Sequence, residues 1–310
     1  MIRVVFMGTP DFSVPVLKGI IDSSEYDVVG VVSQPDKKVG RHQILTPSPI
    51  SKVAIDNNIK LLRIEKIRTN YEEVLDLRPD IIITCAYGQI IPKEILDYPK
   101  YGCINVHASL LPKYRGGAPI HKAIIDGEKY TGITIMYMDV GMDTGDIISQ
   151  EKIEILDTDT LENVHDKLSI LGKELLLKTL PNIISGNIER IKQDESKVTF
   201  AYNIKREDEH VDFNNECKNI YNLVRGLNPF PGSFAVLNGK IIKIYSGMIG
   251  NKTNGKPGEI KGISRDGIIV NTKDLEFIIT ELQEEGKKRV TAKEYLNGKN
   301  KDELIGKVLK

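Results

Sequence analysis

The sequence predicts an α/β protein with a doubly wound, mainly parallel, Rossmann-like sheet and a smaller carboxyl-terminal β-barrel domain. Three observations support this prediction. At 310 residues the chain is long enough for two domains with separate cores. Its first two-thirds alternate short apolar runs with amphipathic stretches, which is typical of parallel strands joined by crossover helices. Its last third carries short β-patterned segments separated by tight turns, which is typical of a small barrel.

The strands of the first domain are predicted from apolar runs at residues 2–7, 28–32, 81–85, 103–107, 133–138 and 147–153. Amphipathic helical patterns lie between several of these runs, at residues 14–21, 50–57 and 71–77. A longer helical pattern covers residues 161–184, with Thr160 or Asp159 in position to cap its amino terminus. Ligands of such sheets bind beyond the carboxyl ends of the strands, so we expect the functional site there.

A polar and charged stretch at residues 202–210 marks the predicted boundary between domains 1–204 and 205–310. A helical pattern at residues 215–227 follows and is ended by the Pro- and Gly-containing residues 228–232. The β-patterned segments of the second domain lie at residues 233–237, 241–245, 258–263, 267–270 and 275–282.

The charge of the whole chain is balanced, with 43 Lys and Arg against 43 Asp and Glu. Residues 205–310 carry 19 basic and 15 acidic side chains, a net charge of +4, which is only weak support for binding to nucleic acid.

The three cysteines are scattered and show neither metal-site nor disulfide spacing, and we expect Cys85 and Cys103 to be small buried apolar groups. The chain begins directly with a strand pattern and has no apolar run of membrane-spanning length, so we expect a cytoplasmic protein.

Asn105 and His107 are the strongest candidates for chemistry. They are two residues apart in the predicted strand 103–107, so their side chains point to the same face near the carboxyl end of the strand. A neutral amide donor beside an imidazole suits a reaction in which negative charge develops on a carbonyl oxygen while an amine loses a proton. Asn105 as a strand-end cap and His107 as a core histidine are the structural alternative.

The segment 105–119 reads Asn-Val-His-Ala-Ser-Leu-Leu-Pro and continues to Arg-Gly-Gly-Ala-Pro, and an Asp-x-Gly-x-Asp-x-Gly motif follows at residues 139–145. This pattern resembles the signature of enzymes that transfer the formyl group of 10-formyltetrahydrofolate. Met-Gly-Thr-Pro-Asp-Phe at residues 7–12 and Gln-Pro-Asp at residues 34–36 narrow the resemblance to members that act on methionyl initiator tRNA. The resemblance extends from residue 2 to near the carboxyl terminus.

The resemblance implies a catalytic role for Asn105, His107 and Asp143, where Asp143 orients the imidazole and favours its protonated form. It implies 10-formyltetrahydrofolate as co-substrate, no metal, and an OB-like carboxyl-terminal domain in a monomer. The folate pocket is implied for Ser109, Leu110, Leu111 and Pro112, with a cis peptide bond before Pro112. Gln89, Ile90 and Ile91 offer a surface for the pterin ring, although a simple loop before a helix at Pro92 fits their sequence equally well.

The predicted tRNA contacts are basic residues in two places. The segment 34–45 is a long loop with Lys37, Lys38 and Arg41, and the resemblance makes it an insertion that reaches the acceptor end of the tRNA. His-Gln-Ile after Arg41 departs from the more basic sequence expected there. In the second domain, Lys287, Lys288 and Arg289 are candidates for contacts to the tRNA backbone, or they are charged residues at a hairpin tip.

Several other functions compete with this reading. Gly8-Thr9-Pro10 lies where a dinucleotide-binding turn would be, but it lacks the glycine pattern of such a turn. An acidic loop with Asp139, Asp143 and Asp146 can bind a divalent cation, but the apolar residues between the acids favour a buried loop against an organic ligand. Formyl transfer to a nucleotide-sugar amine or a purine precursor would use the same catalytic residues. A non-catalytic RNA- or nucleotide-binding protein is the alternative from another class.

Overall fold

The structure, a computed structural model, describes residues 1–40 and 42–310. The chain divides into two compact units, and each unit is formed by three separate segments of the chain. The first unit contains residues 1–119, 130–154 and 165–202, and the second contains residues 120–129, 155–164 and 203–310. The predicted domain boundary between residues 204 and 205 stays a prediction.

The first unit is built on a mainly parallel sheet, as the alternating apolar runs predict, and this sheet has seven strands. The strands along the chain are β1 (Ile2–Gly8), β2 (Tyr26–Ser33), a hairpin of β3 (Lys37–Val39) and β4 (Ile44–Thr46), β5 (Leu61–Arg63), β6 (Ile81–Cys85), β7 (Cys103–His107), β8 (Tyr130–Tyr137) and β9 (Ile147–Glu154). The sheet has the order β5-β2-β1-β6-β7-β8-β9, and the hairpin forms a sheet of its own. The first five strands in this order are parallel, and β8 and β9 are antiparallel to their neighbours.

Helices before β7 lie in the crossover connections between the parallel strands, and two further helices follow β7 and β9. They are α1 (Val14–Ile21), α2 (Pro49–Asp56), α3 (Glu72–Asp76), α4 (Lys93–Leu96), α5 (Pro119–Ile125) and α6 (Leu161–Ser185). The predicted long helix is therefore confirmed. Thr160 caps α6, since its side-chain oxygen accepts from the Asn163 backbone N–H at 3.5 Å while Asn163 Oδ1 accepts from the Thr160 N–H at 3.0 Å.

The central strands of the sheet are buried on both faces. Every residue of β6 is buried, and Ile81, Ile82 and Ile83 have no exposed surface. Parallel strands covered by helices on both sides read as continuous apolar runs for this reason. Cys85 and Cys103 are buried free cysteines, as predicted. Polar residues in these strands need internal partners, and this requirement shapes the candidate site.

The second unit contains an antiparallel sheet with β10 (Ser233–Leu237), β11 (Lys240–Lys252), β12 (Ile260–Ile263), β13 (Ile268–Asn271), β14 (Leu275–Glu284) and β15 (Val290–Thr291), together with α7 (Cys217–Gly226) and α8 (Ala292–Leu296). Its strand order is β10-β11-β14-β13-β12, and β15 pairs with β14. Within residues 203–310 no ladder joins β10 to β12, so the sheet is not closed and the predicted barrel is not confirmed.

Residues 307–310 hydrogen-bond near both edges of this open sheet. The Ile260 N–H donates to the Lys307 carbonyl at 2.8 Å, and the Leu309 N–H donates to the Gly258 carbonyl at 2.8 Å. Val236 of β10 exchanges two backbone hydrogen bonds with Lys310, at 2.6 and 3.0 Å. The segment therefore satisfies backbone groups of β10 and β12 that would otherwise form open sheet edges.

Two differences from the sequence prediction concern short elements. The segment 34–45, predicted as a loop, contains the hairpin β3–β4, whose exposed Val39, Ile44 and Leu45 gave no strand signal because both faces meet solvent. The short elements β5, β15 and α8 were also not predicted. In the described part of the chain, no helix is long and apolar enough to cross a membrane.

Candidate active site

Three neighbouring strands bring the candidate residues to one edge of the sheet. β1, β6 and β7 are parallel, so their carboxyl ends meet at the same edge. Asn105 is paired in register with Thr84 of β6, and His107 ends β7. The parallel order therefore places the sequence-predicted amide and imidazole where ligands of such sheets bind.

The Asn105 amide is held in one orientation by two neighbours. Its Oδ1 accepts a hydrogen bond from the buried Thr84 hydroxyl at 2.9 Å, and its Nδ2 lies 3.5 Å from Asp143 Oδ1. A flipped amide would place its oxygen against the Asp143 carboxylate, which only accepts hydrogen bonds when it is ionised. Among the residues that the structure describes, the second N–H of the half-buried Asn105 has no acceptor, so it can donate to a ligand.

His107 is buried and both of its ring nitrogens face protein oxygens. Nε2 lies 3.0 Å from the Tyr114 carbonyl, and Nδ1 lies 3.7 Å from Asp143 Oδ1. A carbonyl only accepts, so Nε2 carries a proton in this arrangement. A second proton on Nδ1 would give an imidazolium facing the Asp143 carboxylate, so the arrangement accommodates a positive charge next to Asn105.

Asp143 completes the group of three predicted catalytic residues. Its Oδ2 accepts from the Gly116 backbone N–H at 2.8 Å, while its Oδ1 faces Asn105 and His107. Gly116 has a φ of +123°, and a Cβ at that position would lie 2.6 Å from the Ala201 carbonyl oxygen. Glycine at position 116 therefore lets the backbone come close enough to hold the carboxylate.

Behind Asp143 lies a network of polar groups formed by the buried Arg115, the half-buried Gln193 and the exposed Glu195. Gln193 Nε2 donates to the Asp143 carbonyl at 2.7 Å, and Gln193 Oε1 accepts from Arg115 Nη2 at 2.9 Å. Arg115 also pairs with Glu195 at 2.7 Å. Hydrogen bonding from Arg115 holds the pKa of the Glu195 carboxyl below its usual range.

The predicted folate segment 109–112 is held by hydrogen bonds from Thr134 of β8. The buried Thr134 hydroxyl donates to the Ser109 carbonyl at 2.6 Å and accepts from the Leu111 N–H at 3.2 Å. The peptide bond between Leu111 and Pro112 is cis, as predicted. Ser109 is buried and its hydroxyl donates to the Lys113 carbonyl at 2.6 Å, so it is part of the turn rather than a presented nucleophile.

Gln89, Ile90 and Ile91 are placed differently from one another. Gln89 uses its amide internally, because Nε2 donates to the Ile64 carbonyl at 3.1 Å and Oε1 accepts from the Ile67 N–H at 3.0 Å. Ile91 is buried in the core, whereas Ile90 is 58% exposed. Of these three side chains, Ile90 is the one that presents apolar surface to a ligand.

The predicted tRNA-contact residues differ in whether their side chains already pair with acidic residues of the protein. Lys37 and Lys38 are exposed on β3, and Arg41 lies outside the described residues. Lys287 is paired with Glu284 at 3.1 Å, and Arg289 makes two hydrogen bonds to Glu281 at 2.7 and 2.6 Å. Lys288 is exposed and forms no ion pair with a residue that the structure describes.

The competing site predictions find little support in the geometry. Across residues 1–40 and 42–310, no three His, Cys, Asp or Glu side chains are grouped to hold a metal ion. The expected buried acidic loop is wrong in part, since Val140 is 70% and Met142 44% exposed. A Cβ on Gly8 would lie 2.9 Å from the Cys85 carbonyl oxygen, so strand packing accounts for that glycine without a nucleotide. Burial raises the pKa of the Cys85 thiol to about 12, which removes it as a nucleophile.

Four residues around the site were missed by sequence reasoning. Thr84 and Thr134 are polar residues within apolar strands, and that interruption was an available signal. Arg115 was noted only as part of a motif. Gln193 lies in an irregular segment and carries no signal, because its contacts depend on tertiary structure.

The comparisons with known proteins agree with the fold. Residues 2–180 match the family model for formyl transferases, and residues 203–300 match the model for the formyl transferase carboxyl-terminal domain. A methionyl-tRNA formyltransferase of Bacillus velezensis is 52% identical over 304 residues, which cover 97% of this chain and 96% of the relative.

Two solved structures share the fold at lower identity. An N-formyltransferase from Helicobacter canadensis, in complex with folinic acid and dTDP-3-aminofucose, has a TM-score of 0.66 at 22% identity and covers 92% of this chain and 100% of that one. A methionyl-tRNA formyltransferase from Clostridium thermocellum has a TM-score of 0.56 at 20% identity, with coverage of 89% and 100%.

Proposed function

Because this chain belongs to the formyl transferase family, we propose that it transfers the formyl group of 10-formyltetrahydrofolate to the α-amino group of methionine on initiator tRNA. The observation that carries the chemistry is the convergence of Asn105, His107 and Asp143 at one sheet edge. The acceptor is supported by the 52% identity to a methionyl-tRNA formyltransferase over nearly the whole chain.

In the proposed reaction the free amine attacks the formyl carbon, and a tetrahedral oxyanion forms. The free N–H of Asn105 donates to this oxyanion, and protonated His107 places a positive charge beside it. Asp143 balances the imidazolium charge and assists loss of the amine proton. The carbon–nitrogen bond to the folate then breaks, and the folate nitrogen takes up a proton. The scheme uses no covalent enzyme intermediate and no metal.

We propose that the folate lies over residues 109–112 and against Ile90. The hydrogen bonds of Thr134 to Ser109 and Leu111 support a fixed position for this segment. Gln89 and Ile91 shape the loop from inside, so their contribution is to position Ile90. A preformed, mostly apolar surface with few polar groups is the usual environment for a flat cofactor.

We propose that the tRNA is held by exposed basic residues, with Lys37, Lys38 and Arg41 at the acceptor end and Lys287, Lys288 and Arg289 on the second unit. Such residues bind the phosphate backbone without reading bases. We further propose that the second unit is OB-like, with residues 307–310 completing the connection between β10 and β12. We also propose that the protein is a monomer. We propose a cytoplasmic location, since charged initiator tRNA is used in the cytoplasm.

The test is formylation by the purified full-length chain with 10-formyltetrahydrofolate and one of three acceptors. These are methionyl initiator tRNA, methionyl elongator tRNA and a dTDP-linked amino sugar, with the formylated product measured by mass spectrometry. We expect rapid formylation of the initiator tRNA alone. Formylation of the amino sugar in place of tRNA would contradict the acceptor, and no product with any acceptor would contradict the reaction.

The full-length chain is required for this test. Arg225 of α7 donates to the carbonyls of Leu156 and Asp159, both at 3.0 Å, and these two residues belong to the second unit. A chain ending at residue 204 would retain residues 155–164 without their partners. Loss of activity in such a fragment would not separate RNA binding from folding.

A further inference from the structure

Asp143 has an uncommon backbone conformation. Its φ is +54°, in the left-handed region, which aspartate adopts more readily than most residues with a Cβ but still infrequently. It follows the exposed residues Gly141 and Met142. A carboxylate on such a loop keeps a fixed direction only if other groups hold the backbone.

The side chain of Gln193 holds this backbone. Its Nε2 donates to the carbonyl of Asp143 at 2.7 Å and to that of Gly145 at 2.8 Å. Its Oε1 accepts from Nε and Nη2 of Arg115 at 3.0 and 2.9 Å. A flipped amide would put oxygen against two carbonyl oxygens and NH2 against a guanidinium, so this orientation is the only one that satisfies all four contacts.

Arg115 anchors Gln193 to the rest of the unit. The Arg115 side chain is only 3% exposed, and its remaining guanidinium contacts go to Glu195 at 2.7 and 3.3 Å. Its backbone is paired with the segment after Glu195, through Thr199 at 2.9 Å and Ala201 at 2.7 Å. Burying the Arg115 guanidinium is costly, and its partner Glu195 is 72% exposed, so stability alone is a weak reason for this arrangement.

We propose that Arg115 and Gln193 are positioning residues that hold the Asp143 carboxylate against His107 and Asn105 during formyl transfer. The Arg115-Gly116 dipeptide then acts on Asp143 twice: Gly116 holds Oδ2 directly, and Arg115 holds the backbone through Gln193. The inference rests on the proposed role of Asp143 in the reaction. It assigns no substrate contact to either residue.

The experiment compares Gln193→Met and Gln193→Glu in the full-length chain. Both remove the N–H donors to the loop, and the Glu variant keeps an acceptor for Arg115. We expect kcat to fall about 10- to 100-fold, because small displacements of a catalytic group have effects of this size. Both KM values are expected to stay unchanged, because neither residue touches substrate. Lys197→Met, four residues away with an exposed ion pair to Asp194, is the matched control and is expected to behave as wild type.

Asp143→Asn separates positioning from a general structural role. If Gln193 acts through the Asp143 carboxylate, adding Gln193→Glu to Asp143→Asn should change kcat by less than about twofold. Additive losses would overturn the proposal, as would near-wild-type kcat in Gln193→Glu. Unfolding of both Gln193 variants, measured by circular dichroism, would also overturn it, because the network would then hold the fold rather than the carboxylate. An active wild type with an unimpaired Asp143→Asn enzyme would instead contradict the proposed function of Asp143.

Discussion

The strand-end site and the second unit use polar groups in opposite ways. Around Asn105 each polar side chain has a fixed partner, such as Thr84 at 2.9 Å. In the second unit a single carboxylate, Glu284, is shared by Lys287 at 3.1 Å, Lys299 at 3.1 Å and Lys240 at 3.9 Å. The first arrangement fixes the direction of the Asn105 amide. The second keeps three lysine charges near one carboxylate without fixing the direction of any of them.

This difference matches the two tasks in the proposed reaction. Stabilising a developing oxyanion depends on donors aimed at one point, so orientation errors lower the rate steeply. Attraction to a phosphate backbone depends mainly on the number of nearby cations and is screened by salt. Substitutions in the site should therefore change kcat strongly, and substitutions among the basic residues should change tRNA binding weakly.

The largest effect is expected for Asn105→Ala and His107→Ala. Each should lower kcat about 100- to 1000-fold, as loss of one oxyanion donor typically does. KM for folate and tRNA should change little, because both residues are proposed to act on charge that develops in the transition state. Steady-state formylation kinetics measure this, with the exposed Asn70→Ala as control. Near-normal turnover of Asn105→Ala would remove the mechanism.

A smaller effect is expected for Thr84→Val, which keeps the shape of the side chain but removes the donor to Asn105 Oδ1. One hydrogen bond contributes about 1 kcal/mol, so we expect kcat to fall about 5- to 10-fold. Thr84→Ser keeps the hydroxyl and should restore most of the rate. Equal kcat values for the Val and Ser variants would show that Thr84 does not orient the amide.

The sequence indicated the proposed catalytic residues more readily than the groups that hold them. Asn105 and His107 could be found because period-two alternation puts both on one strand face, and the described structure places them at the strand end. Gln193 could not be found, since it reaches Asp143 across 50 residues of chain and no local pattern encodes that contact. Thr84 could have been predicted from the sequence, because a hydroxyl in a fully buried apolar strand needs a hydrogen-bond partner.

In the second unit the sequence predicted the strands but not how the sheet ends. Alternating residues and turn signals reveal antiparallel segments, whereas closure depends on which edges later meet. Residues 307–310 hydrogen-bond to Val236 and to Gly258 and Ile260, which lie far away in the chain. The hairpin β3–β4 was missed because its residues are exposed on both faces.

Arg41→Ala should have an intermediate effect confined to tRNA. We expect kcat/KM for charged tRNA to fall while folate binding is unchanged, since a cation of this segment is proposed to contact phosphate. Loss of one phosphate contact should reduce the slope of log(kcat/KM) against log salt concentration by about 1. Lys60→Ala, an exposed lysine outside the 34–45 segment, is the control. Equal salt slopes for wild type and Arg41→Ala would place Arg41 away from the RNA.

The smallest effects are expected for Lys288→Ala and Arg289→Ala, and they should differ in kind. Arg289 is bidentate to Glu281 and lies 4.2 Å from the centre of the Tyr245 ring, so its loss should reduce the free energy of unfolding by about 1 kcal/mol. Lys288 has no such contacts in the described structure, so its loss should leave stability unchanged and raise KM for tRNA about twofold. Urea unfolding and formylation kinetics on both variants measure the two effects. Both residues are proposed tRNA contacts, so the stability effect is what separates them. Lower stability in Lys288→Ala, or unchanged stability in Arg289→Ala, would contradict this distinction.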